Sequence, residues 1–477
     1  MNSKEWITFS HKEWSIDCPT IVLKQDFSRS PTTYRGPGSI SQNTEGQLIV
    51  KLYCPDIIPP FTAMTLHGGK PGKIVPKTVY FSLNATDLRG KLWTATNILP
   101  RITSSFGNTG IAVTANIREL CQSGKLPRTF KNKSAEMVLR FAGNMEFEFP
   151  CNAKTESRIS IGNTIISEGS SINVAKFKAS NCEFIFYNDD DWFTVQVFCN
   201  KKQFLPFLDL RISEALQFIF ARSFEWSILE VLEGNKYRTH LRPLPDEESN
   251  LRIRPPLISN FPDDFRDFWK LFEMYLGHIV KYDKKDPHSL SGHINDVIKA
   301  SSGSPEAEVL AIAISIEGIL RTEFTNINIT TKGLTDQINT AKTLIKDSAL
   351  DEGFKRRIYG SLGAMLKPRA IDWLNFFLKR SFIKKEFVDA WKTIRHSSAH
   401  AEIRGSVTIR KLLRLRDLVM VLLYRLIFLR IGYTGKYSDY RTYGWPRRMF
   451  TKSFVQSKNI VSLNQGDIDG NKENNCA

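Results

Sequence analysis

The stretch CEFIFYNDDDWFTVQVF at residues 182–198 decides the fold of the first half of the chain. Aromatic and β-branched residues, which favour extended strands, stand on both sides of the polar run NDDD at 188–191. We therefore predict a β-hairpin with strands at 182–187 and 192–198 and a four-residue turn. The three aspartates are interpreted as turn residues, because no further oxygen ligands follow at the spacing of a calcium-binding loop.

Segments of the same kind surround this hairpin between about residues 12 and 240. Strands are predicted at 21–23, 48–53, 78–83 and 137–141, each bounded by Gly, Pro, Asn or Asp, and again near 226–243. One amphipathic helix is predicted at 206–222. Residues 1–250 are therefore predicted to form a large antiparallel β-rich domain.

The character of the sequence changes after a group of prolines between residues 243 and 262, beyond which apolar residues recur with the 3.6-residue period of helices. Helices are predicted at 263–281, 305–323, 333–347, 351–366, 369–380, 384–397 and 406–431. The predicted fold class is α+β, with a β-rich domain at 1–250, an all-α helical bundle at 251–435, and a basic segment with a disordered polar tail at 436–477.

The charge of the chain favours a polyanionic partner. Its 477 residues, of which 42% are hydrophobic, carry a formal net charge of +17. This composition is typical of a globular protein and excludes collagen-like, coiled-coil and wholly disordered chains. Between residues 392 and 448 there are thirteen Lys and Arg but only three Asp and Glu, so nucleic acid is expected to bind there.

Targeting and cysteine patterns indicate a reduced, cytoplasmic protein. Glu5 stands where a secretory signal would begin its apolar segment, and charged residues interrupt the apolar stretch at 405–431, so neither export nor a membrane span is predicted. The seven cysteines are spread singly, without a C-x-x-C pair. They are therefore predicted to be reduced and mostly buried, and their spacing argues against a zinc ribbon, a redox centre or a disulfide framework.

The segment WKTIRHSSAHAEIR at residues 391–404 carries the strongest chemical signal. His396 and His400 lie four residues apart, so on one helix both imidazoles share a face, but a third metal ligand and a general-base Glu are missing and no metal is predicted. Alternatively, Arg395 and His400 act together. On an ideal helix they point about 140° apart, so both reach one phosphate only if the helix is interrupted. Ser397 and Ser398 are poor helix formers and would permit an interruption.

Arg395-His396-Ser397-Ser398-Ala399-His400 matches the R-x(4–6)-H signature of HEPN domains, which are helical-bundle ribonucleases. The order of a β-rich region, an early helix with Glu317 and a late R-x4-H resembles the ApeA-like HEPN proteins of bacterial anti-phage defence. The resemblance implies that the N-terminal domain senses a phage-derived or cellular trigger, while the bundle forms a homodimer and cleaves RNA.

The chemistry of these residue types agrees with RNA cleavage. RNA carries its own nucleophile, the 2′-OH, so an imidazole that exchanges protons near neutral pH suffices without a metal or another cofactor. A guanidinium grips two phosphate oxygens and stabilises the developing negative charge. We therefore predict Arg395 and His400 as the catalytic pair. RNA-binding residues are predicted in the basic stretch that follows, at Arg404, Arg410, Lys411 and Arg414.

Two accessory residues and two other functions stay open. His396 stands where the family often has Asn or Asp, so it either orients the pair or transfers protons. Glu317 lies on an apolar helix and needs a cationic partner, either Arg321 one turn later or Arg395. A non-catalytic RNA-binding or adaptor protein, whose β-rich region recognises a partner, is the main alternative function. A carbohydrate- or peptide-binding β region is a third.

Overall fold

The computed structural model describes two compact units. One unit comprises residues 1–213, 224–250 and 259–266, and the other comprises 214–223, 251–258 and 267–477. Within them, the described residues are 3–452 apart from 56–71, 73, 106–109, 127–133, 144, 146–148, 162–163, 190, 202–203, 246–250, 259–263, 326, 328, 330–331 and 400–407.

The described residues of the first unit form one antiparallel sheet of fifteen strands, whose order, with the strands numbered along the chain as given below, is β10-β11-β12-β13-β9-β14-β15-β8-β5-β4-β1-β2-β3-β7-β6. A short helix, α1 (Ser3–Ser10), precedes the strands. The prediction of a large antiparallel β-rich N-terminal region is confirmed. The strands are β1 (Ser15–Gln25), β2 (Thr33–Gln42), β3 (Leu48–Cys54), β4 (Phe81–Thr86), β5 (Leu92–Ile98), β6 (Arg101–Ser105), β7 (Ile111–Ile117), β8 (Leu120–Lys125), β9 (Ser134–Ala142), β10 (Ala153–Ile161), β11 (Thr164–Ala179), β12 (Cys182–Asp189), β13 (Trp192–Asn200), β14 (Ile228–Glu233) and β15 (Lys236–Leu241).

Alternating side chains build the core of this unit. In β3, Leu48, Val50 and Leu52 are fully buried while Lys51 and Tyr53 between and after them are exposed. Successive side chains of a strand point to opposite faces, so one face of the sheet packs into the core and the other carries polar groups.

The predicted hairpin at 182–198 is present, but its register differs from the predicted one. Asp189 pairs with Trp192, so only two residues lie between the strands, and Glu183 pairs with Phe198. The next position brings Cys182 opposite Cys199, and the two form a disulfide with Cα atoms 4.7 Å apart. The prediction that all cysteines are reduced is therefore wrong at these two residues.

Helices build most of the second unit, which confirms the predicted α+β class. Their bounds follow the predicted periods, except that the helix at 289–300 was not predicted from the sequence. They are α2 (Leu208–Phe220), which spans the boundary of the two units, and then α3 (Phe265–Ile279), α4 (Ser289–Ala300), α5 (Pro305–Glu323), α6 (Lys332–Lys346), α7 (Glu352–Met365), α8 (Ala370–Lys379), α9 (Lys385–Ala399) and α10 (Ile409–Ile431).

Helix α5 lies at the centre of the bundle, beside α4, α9 and α10. Ser304 caps its N-terminus by accepting a hydrogen bond from the backbone N–H of Ala307, and Pro305 occupies the first helical position. Ion pairs Arg416–Glu308 and Arg430–Glu323 show that α10 runs parallel to α5.

Helix α9 packs against α5 and α10. Its start lies near the end of α5, because Phe382 contacts Phe377, which in turn contacts Phe324 directly after α5. Farther along α9, the Trp391 indole donates a hydrogen bond to the carbonyl oxygen of Ala313 in the middle of α5, at 3.0 Å. The last turns of α9 therefore lie against the middle of α5, where Trp391 contacts Ala313 and Arg395 contacts Glu317.

After α10, the chain forms a small hairpin of β16 (Gly435–Ser438) and β17 (Arg447–Phe450). The predicted disordered tail lies almost entirely outside the described residues, which end at 452. No helix among the described residues combines the length and the apolarity that crossing a bilayer requires.

Candidate active site

The last turns of α9 place Arg395 against α5. Ile394 is 3% exposed and Trp391 is anchored to Ala313, so these two side chains fix the face that α9 turns toward α5. Arg395 follows at the edge of that contact, with its side chain 41% exposed. Its Nε donates a hydrogen bond to Oε2 of Glu317 at 3.0 Å.

Glu317 binds two guanidinium groups at once. Its Oε1 lies 2.6 Å from a terminal nitrogen of Arg321 on the same helix, while its Oε2 accepts from Arg395. The sequence left these two cations as alternatives, and the structure contains both pairs. Two positive charges share one carboxylate whose side chain is 18% exposed, so the local charge remains positive.

The contact with Glu317 orients Arg395 and uses only one of its N–H donors. A guanidinium has five N–H donors in a planar fork, so one bond through Nε fixes the plane of the group and is compatible with bidentate binding of an oxyanion. A half-exposed, oriented guanidinium is what a phosphate clamp requires.

The predicted RNA-binding residues Arg410, Lys411 and Arg414 are exposed in the first turns of α10. The free N–H groups of a helix N-terminus also carry partial positive charge, which adds to that of the three side chains. Thr408 caps this helix by accepting from the backbone N–H of Lys411.

The structure describes one of the two histidines of the motif. His396 is exposed in the last turn of α9. His400 and Arg404 lie outside the described residues. Helix α9 continues through Ser397 and Ser398 to Ala399. The described part of α9 is therefore uninterrupted at these serines, where the sequence would permit a break.

A second polar cluster, which the sequence did not indicate, lies near the C-terminal end of α5. Glu323, 5% exposed, accepts hydrogen bonds from Ser289 Oγ at 2.5 Å and Arg430 Nε at 3.0 Å, and His278 Nε2 lies 3.1 Å away. Burial alone would raise the pKa of Glu323, but the hydrogen bonds from His278, Ser289 and Arg430 outweigh it and lower the pKa to about 2.

This cluster also has the composition of a metal site, because ligand atoms of His278, His288 and Glu323 lie within 4.8 Å of one another. Some of these atoms already form hydrogen bonds within the protein. His288 Nδ1 accepts a hydrogen bond from the backbone N–H of Leu290 and so caps α4, and Glu323 is bound by Arg430. We therefore interpret the cluster as a hydrogen-bond network that ties together α3, α4, α5 and α10.

Comparisons of the chain with protein-family models, with curated proteins and with solved structures find no match. The function is therefore proposed from the residues and their geometry.

Proposed function

We propose that this protein is a metal-independent endoribonuclease that cleaves RNA through Arg395 and His400. The observation that supports this best is the 3.0 Å contact in which Glu317 orients a half-exposed Arg395. His400 follows five residues later in the chain, next to the end of α9.

The proposed reaction uses the 2′-OH of the RNA as nucleophile. His400 accepts or donates the proton as the 2′-oxygen attacks phosphorus and the 5′-oxygen leaves, and Arg395 stabilises the negative charge on the phosphoryl oxygens. The products are a 2′,3′-cyclic phosphate and a 5′-hydroxyl. Glu317 acts on the reaction only through Arg395 and is a positioning residue.

RNA is proposed to approach over the start of α10. Arg410, Lys411 and Arg414 would bind phosphates next to the cleaved bond, with Arg404 between them and the catalytic pair in the chain. One R-x4-H motif supplies one histidine with an assigned role, while cleavage needs both an acid and a base. We propose that a homodimer formed through the helical bundle brings two copies of the pair together.

The biological role that follows is abortive infection in anti-phage defence. The β-rich unit is proposed to recognise a phage-derived or cellular trigger and to release the nuclease, which then degrades RNA in the cytoplasm.

Cleavage of a labelled single-stranded RNA by the purified full-length protein in excess EDTA tests the proposal. Arg395→Ala and His400→Ala should each abolish cleavage. Arg369→Ala removes an equally cationic side chain, paired with Asp372 at the start of α8, and should cleave like the wild type. Cleavage that survives in both motif variants would refute the assignment.

A non-catalytic RNA-binding protein is the second candidate, and the exposed basic start of α10 favours it. Wild-type protein that binds RNA with strong salt dependence and leaves it intact would support this candidate against the nuclease.

A further inference from the structure

Glu119, Cys121 and His240 form a connected cluster on the β-rich unit, far in sequence from the R-x4-H motif. His240 Nδ1 lies 2.9 Å from Glu119 Oε1, and His240 Nε2 lies 3.9 Å from Cys121 Sγ. A nucleophile, a base and a carboxylate that orients the base are thus connected in the order that activated cysteines require.

The register of two neighbouring strands creates this arrangement. Cys121 of β8 pairs directly with His240 of β15, and Leu120 pairs with Leu241. Leu120 and Leu241 are fully buried in the core. Cys121 and His240 alternate with these leucines, so they lie on the opposite face of the sheet, together with Glu119 two residues before Cys121.

Arg242 and Trp226 hold the carboxylate in place. Glu119 Oε2 accepts two hydrogen bonds from Arg242, from Nε at 3.0 Å and from a terminal nitrogen at 2.8 Å. The guanidinium of Arg242 stacks on the Trp226 ring, 3.4 Å from its centroid, and the Trp226 indole donates to Asp209 at 3.1 Å. Glu119 therefore has a fixed position from which to accept the Nδ1–H of His240.

The cluster is accessible to a small molecule. The side chains of His240 and Glu119 are 20% and 37% exposed, and Cys121 is half-buried. Cys18 and Cys54, which are not in the disulfide, are buried. Cys151 is half-buried like Cys121 but donates its S–H to the backbone oxygen of Phe149 at 3.7 Å.

The groups around His240 favour the protonated form of its imidazole. Burial alone would raise the pKa of Glu119, but the hydrogen bond from His240 and the charge of Arg242 lower it to about 2, so the carboxylate is ionised at neutral pH. Burial alone would lower the pKa of His240, but the hydrogen bonds to Cys121 and Glu119 raise it to about 9. An imidazolium next to a thiol stabilises the thiolate, which is the nucleophilic form of cysteine.

We propose that Cys121 is a nucleophilic thiol activated by His240, and that this face of the sheet is a covalent modification site for α,β-unsaturated carbonyl compounds. The Cys121 thiolate bonds to the β-carbon, and the electron pair of the carbon–carbon double bond moves to the α-carbon as an enolate. His240 Nε2 then gives its proton to the α-carbon. The thioether product therefore forms without an oxidant, a reductant or a leaving group.

N-ethylmaleimide, which belongs to this class, is the probe. Full-length protein is labelled with a limiting amount, quenched with excess thiol and digested, and the modified fraction of each cysteine is measured by mass spectrometry over time. At pH 7, Cys121 should react at least about ten times faster than Cys151, because burial raises the pKa of the Cys151 thiol to about 11. Equal rates at the two cysteines would overturn the proposal.

Two variants separate activation from exposure. His240→Gln keeps a polar side chain of similar reach but cannot take the proton, so the Cys121 rate should fall toward that of Cys151. Glu119→Gln should cause a smaller fall, because the imidazole stays in place. An unchanged Cys121 rate in His240→Gln would contradict the proposal. Cys18 and Cys54 report on folding, since they stay unlabelled unless the sheet opens.

The pH profile of the wild type gives a test without any variant. Labelling of Cys151 should rise about tenfold per pH unit between pH 6 and 8, because only its small thiolate fraction reacts. Labelling of Cys121 should rise less steeply, because the His240 imidazole lies against its sulfur, flanked by Glu119, Arg242 and Asp209. Identical slopes would show that the thiol is not activated.

Discussion

Glu317 accepts a hydrogen bond from Arg395 at 3.0 Å, although the two residues are 78 positions apart in the chain. The same carboxylate binds Arg321, which is on its own helix. The orientation of the proposed phosphate clamp therefore depends on α5 as much as on α9, and the two partners of Glu317 can be separated by mutation.

Glu317→Gln should impair catalysis more than RNA binding. Without the carboxylate, Arg395 loses its orienting partner, and we expect kcat for RNA cleavage to fall about tenfold or more, equivalent to at least about 1.4 kcal/mol of transition-state stabilisation. The affinity for RNA should not fall, since the substitution removes a negative charge beside Arg395.

Arg321→Gln is the matched control for this prediction. The Arg321 side chain is 62% exposed, and an exposed i,i+4 pair contributes little, so cleavage should stay within about twofold of the wild type. Equal losses in both variants, or a loss of thermal stability that accompanies the loss of cleavage, would indicate a purely structural ion-pair cluster.

The basic start of α10 predicts the salt dependence of RNA binding. Reversing Arg410, Lys411 and Arg414 to Glu should weaken binding and reduce the slope of log K against log salt by about 2, at roughly 0.7 per lost phosphate contact on a single strand. Reversing Arg356 and Arg357 on α7, which are also exposed, is the control and should change the slope less. Filter binding at salt concentrations between about 50 and 200 mM measures the difference, because phosphate contacts make the affinity fall steeply over this range.

Glu323 predicts a pH-dependent stability of the helical unit. Its pKa is lowered from 4.5 to about 2, so the carboxylate stabilises the folded state above about pH 4.5, and this contribution is lost as the pH falls toward 2. Since Glu323 is only 5% exposed, Glu323→Gln should cost about 3 kcal/mol at pH 7 and about half of that at pH 3. Denaturation followed by far-ultraviolet circular dichroism at both pH values checks it, and a pH-independent difference would contradict it.

The disulfide predicts a covalent link that peptide mapping detects. Under non-reducing conditions, the peptides that contain Cys182 and Cys199 should be found joined. The two cysteines are 17 positions apart in sequence, and replacing both with Ser should destabilise the protein by up to about 3 kcal/mol. Separate peptides with two free thiols would contradict this pairing.

The same hairpin shows how far the sequence determines the fold. The aromatic and β-branched residues on both sides of the turn predicted the two strands correctly. A four-residue turn would pair Tyr187 with Trp192, and Cys182 would then lie opposite Val197. In the structure the strands extend by two residues, so Cys182 lies opposite Cys199. Register decides which side chains meet, and turn length is the weakest part of a prediction from sequence.

In the helical half, strong periodicity predicted most helices, while α4 was missed. Its sequence begins with Ser, Leu, Ser and Gly, and its cap is His288, which is not a typical capping residue. The predicted site was partly recovered, because Glu317 and Arg395 were both singled out. The cluster at Cys121 was missed, because Cys121 and His240 are 119 residues apart and meet only through the pairing of β8 with β15.

The chemistry of the cleaved RNA ends tests the central proposal most directly. Mass spectrometry of the products formed in excess EDTA should show 2′,3′-cyclic phosphates and 5′-hydroxyls with the wild type and with Arg369→Ala, and intact RNA with Arg395→Ala and His400→Ala. Products with 3′-hydroxyl and 5′-phosphate ends, or the same cyclic phosphates from both motif variants, would contradict cleavage by this guanidinium and imidazole.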